Sequence, residues 1–288
     1  MKCLFALFLF ILLGCQHTPR RIQSMVRSGE NEIHYSSIGE GPAIVFIHGG
    51  GVDQHMWQAQ IAALAADFQV ITYDLRGHGK SAYKNNELYD IEDLKAILDE
   101  SGLKQAHLAG LSLGAMIAID FIMAYPEYVD KLVLMSPGLA GIQEQDMSYL
   151  GPIIELGQAL QKNDIKSATD IVEKITFYGR GERSLPASMD TTVAYVRKAF
   201  ASYIESGNYT RPPKLKETAP ASRLADIDKS TLIIHGLEDA AYIENNVEVL
   251  HEGISASTIS AIPAAAHLVN IEAHLVVNKL LNDFLDHQ

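Results

Sequence analysis

Short apolar runs alternate with helical patterns along most of this 288-residue chain, and this alternation constrains the fold more than any other feature. The run at 43–47 (AIVFI) is continuously apolar, which is typical of a strand buried on both faces of a parallel sheet. The segment at 91–100 instead places its apolar residues at helical spacing. Strands and helices that alternate in this way form βαβ units, so the sequence predicts an α/β fold whose parallel sheet is covered on both faces.

Eight strands are predicted, beginning with an edge hairpin. The hairpin is indicated by alternating apolar and polar residues on both sides of a turn at 28–31. The predicted strands are 22–26, 32–36, 43–47, 69–73, 105–109, 131–135, 231–235 and 257–262. The predicted helices between and after them are 54–66, 91–100, 113–124, 243–251 and 271–285.

One segment, residues 139–222, interrupts the alternation. It contains no strand pattern, and its helical stretches lie near 149–162, 165–177 and 189–204. An all-helical insertion after a strand lies over the carboxyl edge of the sheet, where a lid covers a ligand site. We therefore predict a core of residues 22–138 and 223–288 and a helical cap of residues 139–222, with the apolar residues of its first helix mostly in the cap core.

The pentapeptide Gly110-Leu111-Ser112-Leu113-Gly114 has the form G-x-S-x-G and lies between a predicted strand and a predicted helix. A serine on so tight a turn has its hydroxyl pushed out of the backbone, and the glycines avoid steric clash across the turn. This pattern predicts that Ser112 is a nucleophile. The pentapeptide alone is weak evidence, because glycine and serine are common, so a base, an acid and an oxyanion hole must also be found.

A glycine run follows the strand at 43–47, in the sequence His48-Gly49-Gly50-Gly51. Backbone amides in such a loop can point at a developing oxyanion without interference from side chains. We expect the amide of Gly50 to act with that of Leu113, the residue after the nucleophile. Gly51 is the alternative donor, and a merely flexible loop is the alternative interpretation. His48 is expected to be structural and to bond to backbone.

An acid and a histidine follow the last two predicted strands. Asp239 comes just after the strand at 231–235, where it can orient an imidazole, although it could instead cap the next helix. Glu238 is the competing acid, and the corresponding place after the strand at 131–135 offers no carboxylate. His267 lies on the loop after the strand at 257–262, where it could reach Ser112 as general base.

The order Ser112, Asp239, His267 on alternating strands and helices resembles that of the α/β-hydrolase superfamily. The loop at 73–81 (YDLRGHGKS) is similar to the superfamily's loop after the fourth strand, and the segment at 58–73 resembles its lid-bearing branch, which includes 3-oxoadipate enol-lactonases, small esterases and cofactor-free haloperoxidases. This resemblance implies a mostly parallel eight-stranded sheet with a helical cap. It also implies that the Asp, Arg and glycines of the 73–81 loop are structural.

These residues predict a serine hydrolase that cleaves a small or medium carboxylic ester, lactone or thioester. Hydrolysis of a C–C bond, cofactor-free perhydrolysis and acyl transfer are alternatives that use the same triad. A non-catalytic binding protein on a hydrolase scaffold is the alternative from another class. No cofactor is implied, and the absence of an H-E-x-x-H motif or a cysteine pair argues against a metal site. The net charge of −12 argues against nucleic acid as a partner.

The amino terminus resembles a bacterial lipoprotein signal. A short apolar run, Leu4–Leu13, precedes Gly14-Cys15, as in a lipobox whose cysteine becomes lipidated. We expect a signal peptide over residues 1–14, lipidation at Cys15 and a polar tether over residues 15–21. The mature protein is then anchored in the bacterial cell envelope, at the outer membrane or the periplasmic face. The alternatives are an ordinary signal with a chance cysteine, or an uncleaved anchor.

Overall fold

The computed structural model of the protein describes residues 21–85, 87–142, 150–179, 183–217 and 219–286. Within these residues, eight strands form one sheet in the order β1-β2-β4-β3-β5-β6-β7-β8. The strands are β1 (Ile22–Ser28), β2 (Asn31–Ile38), β3 (Ala43–Ile47), β4 (Gln69–Tyr73), β5 (Ala106–Leu111), β6 (Val129–Met135), β7 (Thr231–Gly236) and β8 (Ser257–Ile262).

The sheet is mostly parallel, as predicted. The β1–β2 hairpin and the β2–β4 pair are antiparallel, whereas the other five neighbouring pairs are parallel. Parallel strands place their carboxyl ends at one edge, so the loops after β3, β5, β7 and β8 meet there. The predicted α/β-hydrolase architecture is therefore confirmed at the level of the sheet and its helices.

The helices of the core are α1 (Gln58–Leu64), α2 (Ile91–Glu100), α3 (Leu113–Ala124), α7 (Ala241–Gly253), α8 (Val269–Glu272) and α9 (His274–Asp286). The predicted helix at 54–66 is wrong in its first turn, which is a 3-10 turn over Gln54–Trp57. The side chain of Asp53 caps that turn by accepting the His55 amide. The predicted helix at 271–285 is divided at Ala273, where the backbone leaves the helical region.

Alternate residues of β3 face opposite sides of the sheet and enter two different cores. Val45 and Ile47 pack with α2, α3 and α7 on one face. Ile44 and Phe46 pack with α1 and α9 on the other face. Burial on both faces explains why this strand reads as a continuous apolar run.

The described residues between β6 and β7 form helices joined by loops, with no strand among them. These helices include α4 (Leu150–Gln161), α5 (Ile165–Glu173), a π-helical turn (Lys174–Tyr178) and α6 (Asp190–Glu205). The expectation that the apolar residues of the first helix are mostly buried is wrong for Ile153 and Ile154, which are exposed. The reason is that, among the described elements, α4 packs mainly against α5, and it is Leu156 and Leu160 that join the apolar cluster of these helices. No helix in the described ranges has the length and apolar character needed to cross a membrane.

Candidate active site

Ser112 occupies a strained turn between the end of β5 and the start of α3. Its backbone has φ 54° and ψ −111°, a conformation that non-glycine residues rarely adopt. A Cβ atom added to Gly110 would lie 2.3 Å from the Gly114 carbonyl oxygen, and one added to Gly114 would lie 2.1 Å from that of Ile47. Both glycines are therefore required by backbone packing, as the sequence pattern predicted, and the turn matches the geometry of a nucleophile elbow.

The carboxylate of Asp239 holds the imidazole of His267. The Nδ1 atom of His267 lies 2.9 Å from Oδ2 of Asp239 and 3.1 Å from Oδ1. Glu238, the competing acid, instead lines a separate cavity of about 700 Å³. The N-cap position of the helix after β7 is Ala240, so Asp239 is not the N-cap residue. The Asp239 carboxylate accepts the Ala240 amide.

The opposite charges of His267 and Asp239 determine the direction in which the pKa of each group is shifted. Burial lowers the pKa of His267, but the charge and hydrogen bond of Asp239, together with the charge of Glu272, outweigh it and raise the pKa above its ordinary value. Burial raises the pKa of Asp239, but the charge and hydrogen bond of His267 outweigh it and lower that pKa. The carboxylate is thus held ionised and stabilises an imidazolium.

Ser112 and His267 line the same small cavity, of about 40 Å³. Its walls include the glycine loop after β3 and three apolar cap residues, Val172, Val196 and Phe200. This volume is close to that of one or two water molecules, whose share of the liquid is about 30 Å³ each. Residues of α5 and α6 therefore close over the serine, and larger cavities of about 620 Å³ and 700 Å³ lie elsewhere between the β6–β7 segment and the rest of the molecule.

The glycine loop and the start of α3 are adjacent. A Cβ atom added to Gly50 would lie 3.7 Å from Cδ2 of Leu113, so this glycine lies next to the Leu113 side chain. The amide of Gly51, the alternative donor, already donates to Nε2 of His78 over 3.1 Å. Of the two glycine amides, that of Gly50 therefore remains the better candidate for an oxyanion.

The loop after β4 supports the site structurally. Asp74 accepts the amides of Gln54 and Lys80, and Arg76 forms a two-pronged ion pair with Asp93. His48 accepts the Leu75 amide through Nε2, while its Nδ1 donates to the Gly49 carbonyl. The structural roles expected for this loop and for His48 are confirmed.

Sequence reasoning missed the role of His78. This buried histidine accepts the Gly51 amide and stacks on Tyr203 of α6, with ring centroids 4.2 Å apart. Burial and the nearby His48 lower the pKa of His78 to about 3, so it stays neutral and can accept. Its place in the 73–81 loop was the available signal, because β4 neighbours β3 and both loops leave the same sheet edge.

Among the described residues, no group of three or more His, Cys, Asp or Glu side chains could hold a metal ion.

Known proteins share this sequence pattern and fold. A 2-hydroxy-6-oxo-6-phenylhexa-2,4-dienoate hydrolase of Comamonas testosteroni is 26% identical over 274 residues, which cover 88% of this chain and 91% of the relative. The 3-oxoadipate enol-lactonase 1 of Acinetobacter baylyi is 28% identical over 233 residues, covering 80% and 84%. The crystal structure of carboxylesterase CesB from Bacillus subtilis matches the fold with a TM-score of 0.76 over 93% of each chain, at 23% identity.

The family comparison agrees with this fold. The model of the alpha/beta hydrolase fold family matches residues 42–274, which run from the strand before the glycine loop to the start of α9. The matched region includes Ser112, Asp239 and His267. The chain therefore belongs to the α/β-hydrolase fold family.

Proposed function

We propose that this protein is a serine hydrolase that cleaves a small or medium carboxylic ester, lactone or thioester through an acyl-enzyme on Ser112. The observation that carries the proposal is that Ser112, on its strained turn, shares one cavity with His267, whose other ring nitrogen is held by Asp239. Nucleophile, base and orienting acid are the three parts that acyl transfer to serine requires.

In this mechanism Ser112 attacks the carbonyl carbon while His267 accepts the hydroxyl proton. Asp239 fixes the tautomer of the imidazole and stabilises the imidazolium that forms. The amides of Gly50 and Leu113 stabilise the oxyanion, an effect of about 3 kcal/mol for each donor. His267 then returns the proton to the leaving group and activates the water that hydrolyses the acyl-enzyme. No cofactor takes part in these steps.

C–C bond hydrolysis is the second candidate, because the relatives include one named a 2-hydroxy-6-oxo-6-phenylhexa-2,4-dienoate hydrolase. Another is named an enol-lactonase, and a third a carboxylesterase. A panel of p-nitrophenyl esters of increasing acyl length, enol-lactones and 2-hydroxy-6-oxo dienoates separates these possibilities. We expect the esters or lactones to give the highest kcat/KM, whereas a preference for the dienoate assigns the C–C reaction instead.

Covalent labelling by a fluorophosphonate probe tests the mechanism. We expect the probe to modify Ser112, since only an activated serine hydroxyl attacks phosphorus at a useful rate. The Ser112→Ala variant should not be labelled, whereas Ser222→Ala, which changes a serine on an exposed 3-10 turn, should be labelled as the wild type is. No labelling of the wild type contradicts the hydrolase mechanism and favours the non-catalytic binding protein, whereas equal labelling of Ser112→Ala contradicts the role of Ser112 as nucleophile.

We further propose that Cys15 is lipidated and anchors the protein in the bacterial envelope. Support comes from the apolar run before Gly14-Cys15 alone, because residues 1–20 lie outside the described part of the chain. Radiolabelled palmitate should enter the full-length protein in bacteria and should not enter Cys15→Ser. Incorporation into Cys15→Ser, or a wild-type protein recovered entirely without label, contradicts the proposal.

A further inference from the structure

Behind the loop that carries His267 lies a partly buried ion pair that the mechanism above does not use. Glu272, at the end of α8, pairs with Arg183, which comes from the segment between the π-helical turn and α6. The two side chains are only 5% and 17% exposed. Charges that are partly removed from water are costly unless further hydrogen bonds satisfy them, so the partners of this pair indicate what it does.

The pair holds the backbone just before the histidine. Both carboxylate oxygens of Glu272 accept the Ala266 amide, at 3.2 and 3.3 Å. Nη1 of Arg183 donates to the Ala264 carbonyl at 2.6 Å. Ala264 has φ 58°, a left-handed conformation that costs a non-glycine residue free energy and persists only where its surroundings hold it. The loop is therefore fixed from behind at its strained residue, Ala264, and again at Ala266.

The same arginine connects this loop to the helical segment above the site. Nε of Arg183 donates to the Phe177 carbonyl at 2.5 Å, and the His267 amide donates to the carbonyl of Thr176 at 3.2 Å. Both acceptors belong to the π-helical turn, a rare element that occurs frequently at functional sites. The backbone position of His267 thus depends on contacts from the segment that closes the cavity.

We propose that Arg183 and Glu272 are positioning residues that link closure of the helical segment to the alignment of His267 with Ser112. This inference rests on the proposed serine-hydrolase function. With the segment in place, Arg183 holds the loop through Ala264 and Glu272, and the imidazole faces the serine. When the segment moves away, the loop loses the Arg183 and Thr176 contacts, so the base is aligned only over a closed site.

The charge of Glu272 supplies a readout that a merely structural role would not give. The charged groups that face His267 are the carboxylates of Asp239 and Glu272, and both raise its pKa. The positive charge of Arg183 in turn opposes the rise that burial causes in the pKa of Glu272. Glu272→Gln keeps an oxygen acceptor for the Ala266 amide but removes the charge, whereas Glu272→Ala removes both.

The test measures the pH profile of kcat/KM and the rate of fluorophosphonate labelling of Ser112 in the full-length protein. We expect Arg183→Ala and Glu272→Ala each to lower kcat and the labelling rate about tenfold or more, as misplacement of a reacting group does, and the double variant to lose little more than either. Glu272→Gln should lose less activity but shift the acid inflection of kcat/KM to lower pH. Arg197→Ala, which breaks an ion pair with Asp170 and Glu173 elsewhere in the cap, is the matched control and should leave both readouts unchanged.

Two results overturn the inference. One is wild-type labelling rates in folded Arg183→Ala and Glu272→Ala. The other is an acid inflection of kcat/KM in Glu272→Gln at the same pH as in the wild type. This variant keeps an acceptor for the Ala266 amide, so it still tests the inference if the alanine variants fail to fold. Failure of the proposed function is a different outcome, because the wild-type protein is then not labelled at Ser112 at all.

Discussion

His267 has the environment that a general base in acyl transfer requires. Its Nδ1 is held by Asp239, and its ring borders the cavity that contains Ser112. A base must be neutral to accept a proton, so in the proposed mechanism the pKa of this histidine sets the acid limit of activity. The two neighbouring carboxylates raise that pKa above the ordinary value of 6.5, which moves the acid limit to higher pH.

The first prediction concerns this pH limit. For the wild type, kcat/KM for a p-nitrophenyl ester should fall as pH decreases, with an inflection above about 6.5. In Asp239→Asn the imidazole loses both its orienting partner and the charge that raises its pKa, so activity should fall by about 10³-fold or more and the residual inflection should lie at lower pH. A rate that stays constant down to pH 4 in the wild type contradicts the role of His267 as base.

The sequence was sufficient to predict the roles proposed for Ser112, Asp239 and His267, because each follows a strand and parallel strands end at one sheet edge. It was not sufficient for Arg183 and Glu272. Neither lies in a motif, and their pairing depends on how the helical segment packs against α8, which residue spacing does not encode. The choice between Gly50 and Gly51 likewise needed the contact between Gly51 and His78.

At the level of elements, α6 determines how much space the serine has. The Phe200 side chain of α6 lines the cavity beside Ser112, and its ring lies against the glycine loop. A Cβ atom added to Gly51 would lie 2.2 Å from this ring. A cavity of about 40 Å³ cannot hold an acyl chain of several carbons, so the segment must open or the ring must move before a longer substrate can react.

The second prediction follows from this contact. Phe200→Ala should raise kcat/KM for a p-nitrophenyl hexanoate relative to the acetate at least tenfold, since room for even one of the four additional methylenes in an apolar pocket is worth about 1–3 kcal/mol. Phe200→Leu, which leaves a smaller gap, should show a lesser change and guards against loss of folding. Ile154→Ala, on the exposed face of α4, is the control. An unchanged chain-length profile in both Phe200 variants shows that this side chain does not limit the acyl site.

The elements themselves were largely predictable from local patterns. The strands at 43–47, 69–73 and 257–262 and the helices at 91–100 and 113–124 have the predicted bounds. The differences arose where tertiary contacts override local spacing. The turn before α1 is 3-10 because Asp53 and Asp74 bind its first amides, and Ile153 and Ile154 are exposed because, among the described elements, α4 packs mainly against α5.

At the scale of the whole molecule, the core contains histidines that must stay neutral for the fold to form. His48 and His78 are both buried, and each accepts a backbone amide through Nε2. Burial lowers the pKa of both, to about 3 for His78. In the unfolded chain a histidine binds a proton below about pH 6.5. Between that value and the folded pKa the unfolded state binds more protons, so the stability that the neutral histidine contributes is lost as pH falls.

The third prediction isolates one of these histidines. The free energy of unfolding should decrease below pH 6.5 by about 1.4 kcal/mol per pH unit for each such histidine. Buried acids oppose this trend. Burial raises the pKa of Asp90 to about 6, so the stability associated with its protonated form is lost as pH rises. The difference between variants is therefore the informative quantity.

His78→Gln keeps an acceptor for the Gly51 amide but cannot titrate, so its unfolding free energy should depend less steeply on pH between 4 and 6, by about 1.4 kcal/mol per pH unit. The exposed His251→Gln should leave the slope unchanged. Urea denaturation at several pH values measures both slopes, and equal slopes in the wild type and His78→Gln show that His78 is not held neutral by the fold.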